Sequence, residues 1–157
     1  QHAGIHPQNT GFMGHGHKHL KGDSNGYFNR LKVVHEVAAV TGACLAIETN
    51  LWRKLNGLDE ERFKVAYNDV DLCFRVRDLG YKIILNPQSK LIHYESASRS
   101  MDVDPENKAR LEKEVRFMKE LWGNQIYFDP AYSPNLKSDG GSFKLAKTPK
   151  QKAFWKE

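Results

Sequence analysis

The chain contains no apolar run close to the roughly twenty residues that a membrane-spanning helix needs. It has only two cysteines, Cys44 and Cys73, and their spacing matches neither a zinc site nor a disulfide framework. We interpret both as buried, reduced thiols, which favours a cytoplasmic protein. An initiator methionine and a signal-peptide pattern are also absent at the start, so we expect this sequence to be a piece of a longer protein.

The composition is that of one soluble domain. The 157 residues are 39% apolar and 27% charged, and the formal net charge is +5. Much of the positive charge is near the end of the chain, at Lys137, Lys144, Lys147, Lys150, Lys152 and Lys156. Such a segment is either a solvated tail or a peripheral contact with the anionic inner face of a membrane. We expect no nucleic-acid binding, because no recognised fold signature accompanies these lysines.

The order of predicted elements is mixed, which indicates an α/β protein. Apolar patterns predict strands over residues 40–47, 81–85 and 90–94. A short helix is predicted over 51–55 with Asn50 as its N-cap, and a clearer one begins at the N-cap Asn68 and ends at Gly80. A third helix is predicted to start at Asp104-Pro105 and stop at Gly123, with an irregular tail after it.

Histidines are frequent near the start of the chain. His15, His17 and His19 alternate around glycines, which is typical of a flexible loop. A metal site is the alternative, since histidine is a common metal ligand, but alternating residues share one face only in an extended strand. The flexible loop is the favoured interpretation.

Two carboxylates, Asp69 and Asp71, stand in the predicted first turn of the helix that follows Asn68. Helix capping alone could explain both, because acids stabilise the positive end of the helix dipole and Asn68 with Asp71 resembles a capping box. The functional alternative is a general base beside a cleft, with His93 at the end of a strand as its partner. Spacing does not decide between the two.

An ordered set of motifs resembles the acceptor half of glycosyltransferase family 2, and in particular bacterial members that build surface polysaccharides. The set comprises Gln1-His2-Ala3-Gly4, Val40-Thr41-Gly42-Ala43-Cys44, Gly57-Leu58-Asp59, Tyr67-Asn68-Asp69-Val70-Asp71, Gly80-Tyr81-Lys82-Ile83, His93-Tyr94-Glu95-Ser96 and Asp129-Pro130-Ala131-Tyr132. The resemblance implies the C-terminal part of a GT-A fold, with residues 1–100 as the acceptor-side half and 101–157 as a C-terminal helix and basic tail. It also implies an inverting sugar transfer from a nucleotide-sugar donor to a glycan or lipid-linked acceptor.

The resemblance also implies roles for individual residues. Asp69 takes the place of the general base, and Asn68 stands where the family usually has a glutamate. The implied acceptor-binding residues are Gly42, Ala43, Asn68 and Asp71. His93 would complete a divalent metal site for Mg or Mn, and Arg99 would meet the donor diphosphate.

The nucleotide-binding half that the family carries upstream, with its Asp-x-Asp metal motif, has no counterpart before Gly42. We therefore expect the missing N-terminal half to be a partner of this chain, and we expect the isolated chain to be inactive. A different class remains open: a non-catalytic carbohydrate-binding or partner-docking module that uses Trp52, Tyr67, Tyr94 and Trp122 as stacking surfaces.

Overall fold

Two short antiparallel β-ribbons and three α-helices make up the regular structure of the computed structural model, which describes residues 2–8, 12–92, 105–127, 129–139 and 141–148. Strand β1 (Ile5–Pro7) pairs with β2 (Met13–His15). Strand β3 (His35–Val37) pairs with β4 (Ile83–Leu85). The Ile5 amide donates to the Ala39 carbonyl at 2.8 Å, which connects β1 to the residues that follow β3.

The helices begin and end near the residues that their local sequence indicates. They are α1 (Thr49–Lys54), α2 (Asn68–Asp78) and α3 (Pro105–Trp122). Gly80 follows α2 with a φ of +85°, the left-handed conformation in which glycine commonly terminates a helix. Pro105 is the first residue of α3, where its missing N–H leaves no helical bond unmade. A 3-10 turn, Gly123–Tyr127, follows at once. None of the helices in the described residues is long and apolar enough to cross a bilayer.

The hydrophobic core lies around α2. Its largest fully buried side chains are Phe63, Leu72 and Phe74. Other residues of α2, of α1 and α3, of the two ribbons, of the segment after β3 and of the 3-10 turn after α3 complete it, namely Ile5, Val37, Ala38, Ala39, Leu51, Val70, Cys73, Val76, Ile83, Met118 and Ile126. Because α2 is buried on several sides, its N-terminal turn is held by packing as well as by its own hydrogen bonds.

The predicted strand over residues 40–47 is wrong. Residues Gly42–Cys44 form a 3-10 turn, and the Thr41 side chain accepts a hydrogen bond from the Ala43 amide at its start. The local bond competes with an extended backbone, as threonine side chains commonly do in turns. The turn also carries Cys44 to the surface, so the prediction of a buried thiol holds for Cys73 only.

Two predicted helix N-caps and one predicted strand also need correction. The N-caps of α1 and α2 are Glu48 and Tyr67, not Asn50 and Asn68, and neither makes a side-chain capping bond. Hence the capping box predicted for Asn68 and Asp71 does not form. No strand occurs over Lys90–Ile92, which is exposed; the last two residues of that predicted strand, 93 and 94, lie outside the described residues.

Candidate functional site

Asp69 and Gly42, two of the predicted site residues, are in direct contact. The Gly42 amide donates to Oδ2 of Asp69 at 2.8 Å, across 27 positions of sequence. The other oxygen, Oδ1, accepts from the Val70 amide at 2.8 Å. A Cβ atom at Gly42 would lie 3.4 Å from the Asp69 Cβ, so the turn and the helix approach closely. Gly42 is exposed and Asp69 is half-buried, so the bond lies close to the protein surface.

The residue before α2 directs Asp69 toward this turn. Tyr67 has a φ of +64°, a left-handed conformation that costs a non-glycine residue about 1 kcal/mol or more. Its carbonyl accepts from the Asp71 amide at 2.8 Å and so closes the first helical turn. Asp69 follows this reversal and is half-buried in that turn. Burial raises the pKa of the Tyr67 phenol to about 12, with a smaller contribution from the charge of Glu114, so the phenol stays protonated at neutral pH.

Asp71 does not share the position of Asp69. Its side chain is 3% exposed, and both of its oxygens are engaged inside the protein. Oδ1 accepts from Trp122 Nε1 at 3.0 Å, and Oδ2 accepts from Arg75 Nε at 2.8 Å. In this structure Asp71 thus links α2 to Trp122 and Arg75, and its acceptor-binding role stays a prediction.

Arg75 extends the bonding of Asp71 to the region after α1. Its Nη1 donates to the Leu55 carbonyl at 2.7 Å and its Nη2 to the Gly57 carbonyl at 2.8 Å. Carbonyls at a helix C-terminus lack partners within the helix, and a cation there also interacts favourably with the helix dipole. Asp71 and Arg75 thus fasten α1 and α3 to α2.

The other predicted acceptor residues lie close to Asp69 in sequence or in space. Ala43 is exposed in the same 3-10 turn as Gly42, and Asn68 is half-buried as the first residue of α2. The turn borders two cavities. One, of about 490 Å³, has mainly apolar walls formed by residues 44–48, α2 and β4. The other, of about 700 Å³, lies between the turn and residues 85–92.

The predicted metal site is not formed by the described residues. No group of three or more His, Cys, Asp or Glu side chains in them is arranged to hold a metal ion. His93, the predicted ligand, and Arg99, predicted to meet a diphosphate, both lie outside the described residues. We derive no chemical step through a metal ion.

The histidines near the start of the chain have different surroundings. His15 lies against His2, with the two Nδ1 atoms 3.0 Å apart, whereas His17 is buried and stacks on Phe143. His19 is exposed. The pKa of His17 is lowered to about 4, mainly by burial and in part by the charges of the neighbouring His6, Arg30 and His35. His15 and His17 thus contact other rings while His19 does not, and within the described residues the three are not grouped as a metal site.

Sequence reasoning missed Glu114, which is buried in α3 and bonds to the backbone just before Tyr67. A signal was present: the residue falls on the same helical face as Leu111, Val115 and Met118, where a glutamate is out of place. It also missed the buried pair of His6 and Asp129, whose Nδ1 and Oδ2 atoms are 2.9 Å apart. No pattern links residues so distant in sequence.

Comparison with known proteins gives two relatives. The uncharacterized protein y4gI of Sinorhizobium fredii (strain NBRC 101917 / NGR234) is 42% identical over 146 residues, which is 93% of this chain and 16% of that protein. The O-antigen biosynthesis protein RfbC of Myxococcus xanthus is 37% identical over 107 residues, which is 68% of this chain and 8% of that protein. The chain thus spans less than a fifth of the length of either relative. No protein-family model matches it. No solved structure matches it either.

Proposed function

We propose that this chain is the acceptor-side part of an inverting glycosyltransferase that acts in polysaccharide biosynthesis, with Asp69 as its general base. The observation that carries the proposal is that the half-buried Asp69 carboxylate is fixed by the Gly42 amide at 2.8 Å, next to a turn whose residues Ala43 and Cys44 line cavities. The similarity to a relative named as an O-antigen biosynthesis protein supports the same field of activity.

Asp69 would take the proton of the acceptor hydroxyl. As the hydroxyl oxygen attacks the anomeric carbon of the donor sugar, the bond from that carbon to the nucleotide diphosphate breaks on the opposite face, which inverts the configuration. A carboxylate is a suitable base if it is held within about 3 Å of the proton that it removes. The amide of Gly42 fixes one oxygen of Asp69 and thereby orients the carboxylate. Arg99 remains our candidate for the diphosphate, and His93 for a divalent metal.

A surface feature supports the expectation that a further part of the protein covers this chain. Leu45 and Glu48 have extended backbones, residues 45–47 belong to no helix or strand, and their backbone groups make no hydrogen bond with any described residue. Strand β4 faces them across the 490 Å³ cavity and pairs, within the described residues, only with β3. Unpaired backbone beside an apolar cavity is suited to an added strand. We propose that the missing N-terminal half of the domain supplies it and brings the nucleotide-sugar donor.

The alternative of a carbohydrate-binding module rests on exposed aromatic rings, and it has less support. The Trp122 ring packs edge-on against Phe74, and its N–H is used by Asp71. Trp52 lies against Gly57, where a Cβ would be 3.0 Å from the indole. Tyr67 is half-buried, and Tyr94 lies outside the described residues. No flat pair of free rings is formed by the described members of this set.

The test uses the longer protein that we expect to contain this chain. Asp69→Asn should reduce sugar transfer from a panel of nucleotide sugars by roughly 10²- to 10⁴-fold, which is the usual contribution of a general base. Donor affinity, measured by calorimetry, should stay near that of the wild type. Asp78→Asn, an exposed acid on the same helix, is the matched control and should keep full activity. Retained turnover in Asp69→Asn would remove Asp69 as the base.

The isolated chain gives a separate test of the expected division of the domain. Incubated with the same nucleotide sugars and Mg²⁺ or Mn²⁺, it should show neither transfer nor donor hydrolysis. Measurable activity would refute the idea that the donor site lies elsewhere in the protein.

A further inference from the structure

Glu114 binds the backbone that leads into the candidate base. It lies in the middle of α3 and is 2% exposed. Its Oε1 accepts from the Val65 amide and its Oε2 from the Ala66 amide, each at 3.0 Å. One carboxylate thus holds two consecutive N–H groups of a segment that is neither helix nor strand.

These two bonds are the main compensation for burying the charge. Transfer of an unpaired carboxylate into a protein interior is very unfavourable, whereas hydrogen bonds from backbone amides stabilise it. Arg110 adds an ion pair, with its Nε 3.9 Å from Oε2, which is longer than a hydrogen bond. Glu114 and residues 65–66 therefore depend on each other: loss of the carboxylate leaves two amides of the loop without their partner.

The conformation that follows is a strained one. Tyr67, directly after Ala66, has its φ at +64°. A left-handed non-glycine residue persists only where its surroundings fix it. Glu114 fixes the chain on one side of Tyr67, and the hydrogen bond from the Asp71 amide to the Tyr67 carbonyl fixes it on the other. Two residues later, Asp69 meets Gly42.

We infer that Glu114 is a positioning residue: through Val65, Ala66 and the reversal at Tyr67, α3 sets the orientation of the Asp69 carboxylate against Gly42. The importance of this orientation for catalysis rests on the proposed function. The mechanical link itself does not, because it concerns only contacts within the chain.

The link is tested in the 157-residue chain by NMR. The Gly42 amide proton donates to a carboxylate, which moves its chemical shift downfield, so Asp69→Asn should move it upfield. Glu114→Gln places an NH2 group against one of the two amides, so it loses one bond and disturbs the loop. In this variant the Gly42 amide proton should move upfield by more than half of the change seen in Asp69→Asn. Glu120→Gln, a change of an exposed glutamate on the same helix, should leave the Gly42 chemical shift unchanged. An unmoved Gly42 resonance in a folded Glu114→Gln variant would overturn the inference.

Hydrogen exchange in the wild-type chain gives a measurement that does not depend on the variant folding. If Glu114 holds the loop and the site together, the amides of Ala66 and Gly42 should exchange through one opening, with the same free energy and the same denaturant dependence. Two independent openings would overturn the link.

Steady-state kinetics of the longer protein provides a further test. Glu114→Gln should lower kcat by roughly 10- to 100-fold with little change in the KM for donor, since a small misplacement of a catalytic group has effects of this size. Glu120→Gln should have no effect. If the NMR result holds and kcat is unchanged, the link stands and the assignment of Asp69 as base fails. If Gly42 is uncoupled from Glu114, the link fails whatever the activity.

Discussion

Replacing Asp71 by asparagine changes one buried oxygen into an NH2 group while the side chain keeps its shape. The remaining oxygen can still accept from Trp122 Nε1, at the present 3.0 Å. The NH2 group must then face Arg75 Nε, which now donates to the carboxylate at 2.8 Å. The substitution therefore removes one charge-assisted hydrogen bond and leaves two donors facing each other. It also deprives a guanidinium that is only 23% exposed of its counter-charge.

The magnitude follows from these contacts. A hydrogen bond to a charged group contributes about 1.5–3 kcal/mol, and removing one partner of a buried ion pair costs about 3–5 kcal/mol. Because Arg75 keeps its bonds to the Leu55 and Gly57 carbonyls and some solvent contact, we expect Asp71→Asn to lower the free energy of unfolding by about 2–4 kcal/mol. For a domain of this size the melting temperature should fall by roughly 5–12 °C.

The matched variant is Asp69→Asn, two residues earlier. The wild-type Asp69 carboxylate accepts two backbone N–H groups near the surface, and asparagine keeps one acceptor oxygen. Asp69→Asn should therefore lower the free energy of unfolding by at most about 1 kcal/mol. Urea unfolding of the 157-residue chain, followed by tryptophan fluorescence and circular dichroism, measures both values. The same measurement on Trp122→Phe, alone and combined with Asp71→Asn, gives the coupling free energy between the indole N–H and the Asp71 carboxylate. The reasoning is refuted if Asp71→Asn lies within 0.5 kcal/mol of the wild type or if Asp69→Asn costs as much.

Two further predictions concern titration and reactivity. The pKa of His17 is about 4 in the folded chain, against about 6.5 in the unfolded chain. As the pH falls below about 6.5, the unfolded chain therefore binds a proton at this position before the folded chain does. The free energy of unfolding should drop by up to about 3 kcal/mol between pH 6.5 and 4. Urea titrations at pH 7.5, 5.5 and 4.5 should show a smaller drop in His17→Gln but not in the exposed control His19→Gln; an unchanged drop in His17→Gln would contradict the assignment. In a thiol-reagent assay the exposed Cys44 should react within minutes. Cys73 is buried, which raises its pKa to about 11, so it should react only on unfolding. Equal reaction rates of the two thiols would contradict this difference in burial.

Local sequence predicted those parts of the fold that local interactions determine. The ends of α2 and α3 follow from Gly80, Pro105 and Gly123, each of which acts on the backbone within a turn of its own position. The apolar run at 40–47 was misread because apolar composition cannot distinguish a strand from a turn that small residues permit. The bond from the Ala43 amide to Thr41 selects the turn at Gly42–Cys44.

The sequence was enough to predict the contacting residues of the candidate site, but not the buried residues that hold them in place. Asp69 and Gly42 were both named from the sequence, and they lie in contact. The separation of Asp69 from Asp71 could not be seen, since it depends on Trp122, some 51 residues later in the chain. Glu114 was overlooked because a glutamate within a charged helix is usually solvated, and only its backbone partners at 65–66 explain its burial.

The hydrogen bond of His6 to Asp129 has a consequence for the order in which the protein folds. It joins residues 123 positions apart and encloses nearly all of the described helices and strands within one loop. Loop-closure entropy opposes such a contact until the intervening chain is compact. During synthesis β1 can pair with β2 early, but its buried His6 meets Asp129 only after all the residues between them have been made. Truncation just before Asp129 should leave α2 and its surrounding core able to form, and β1 the first element to loosen.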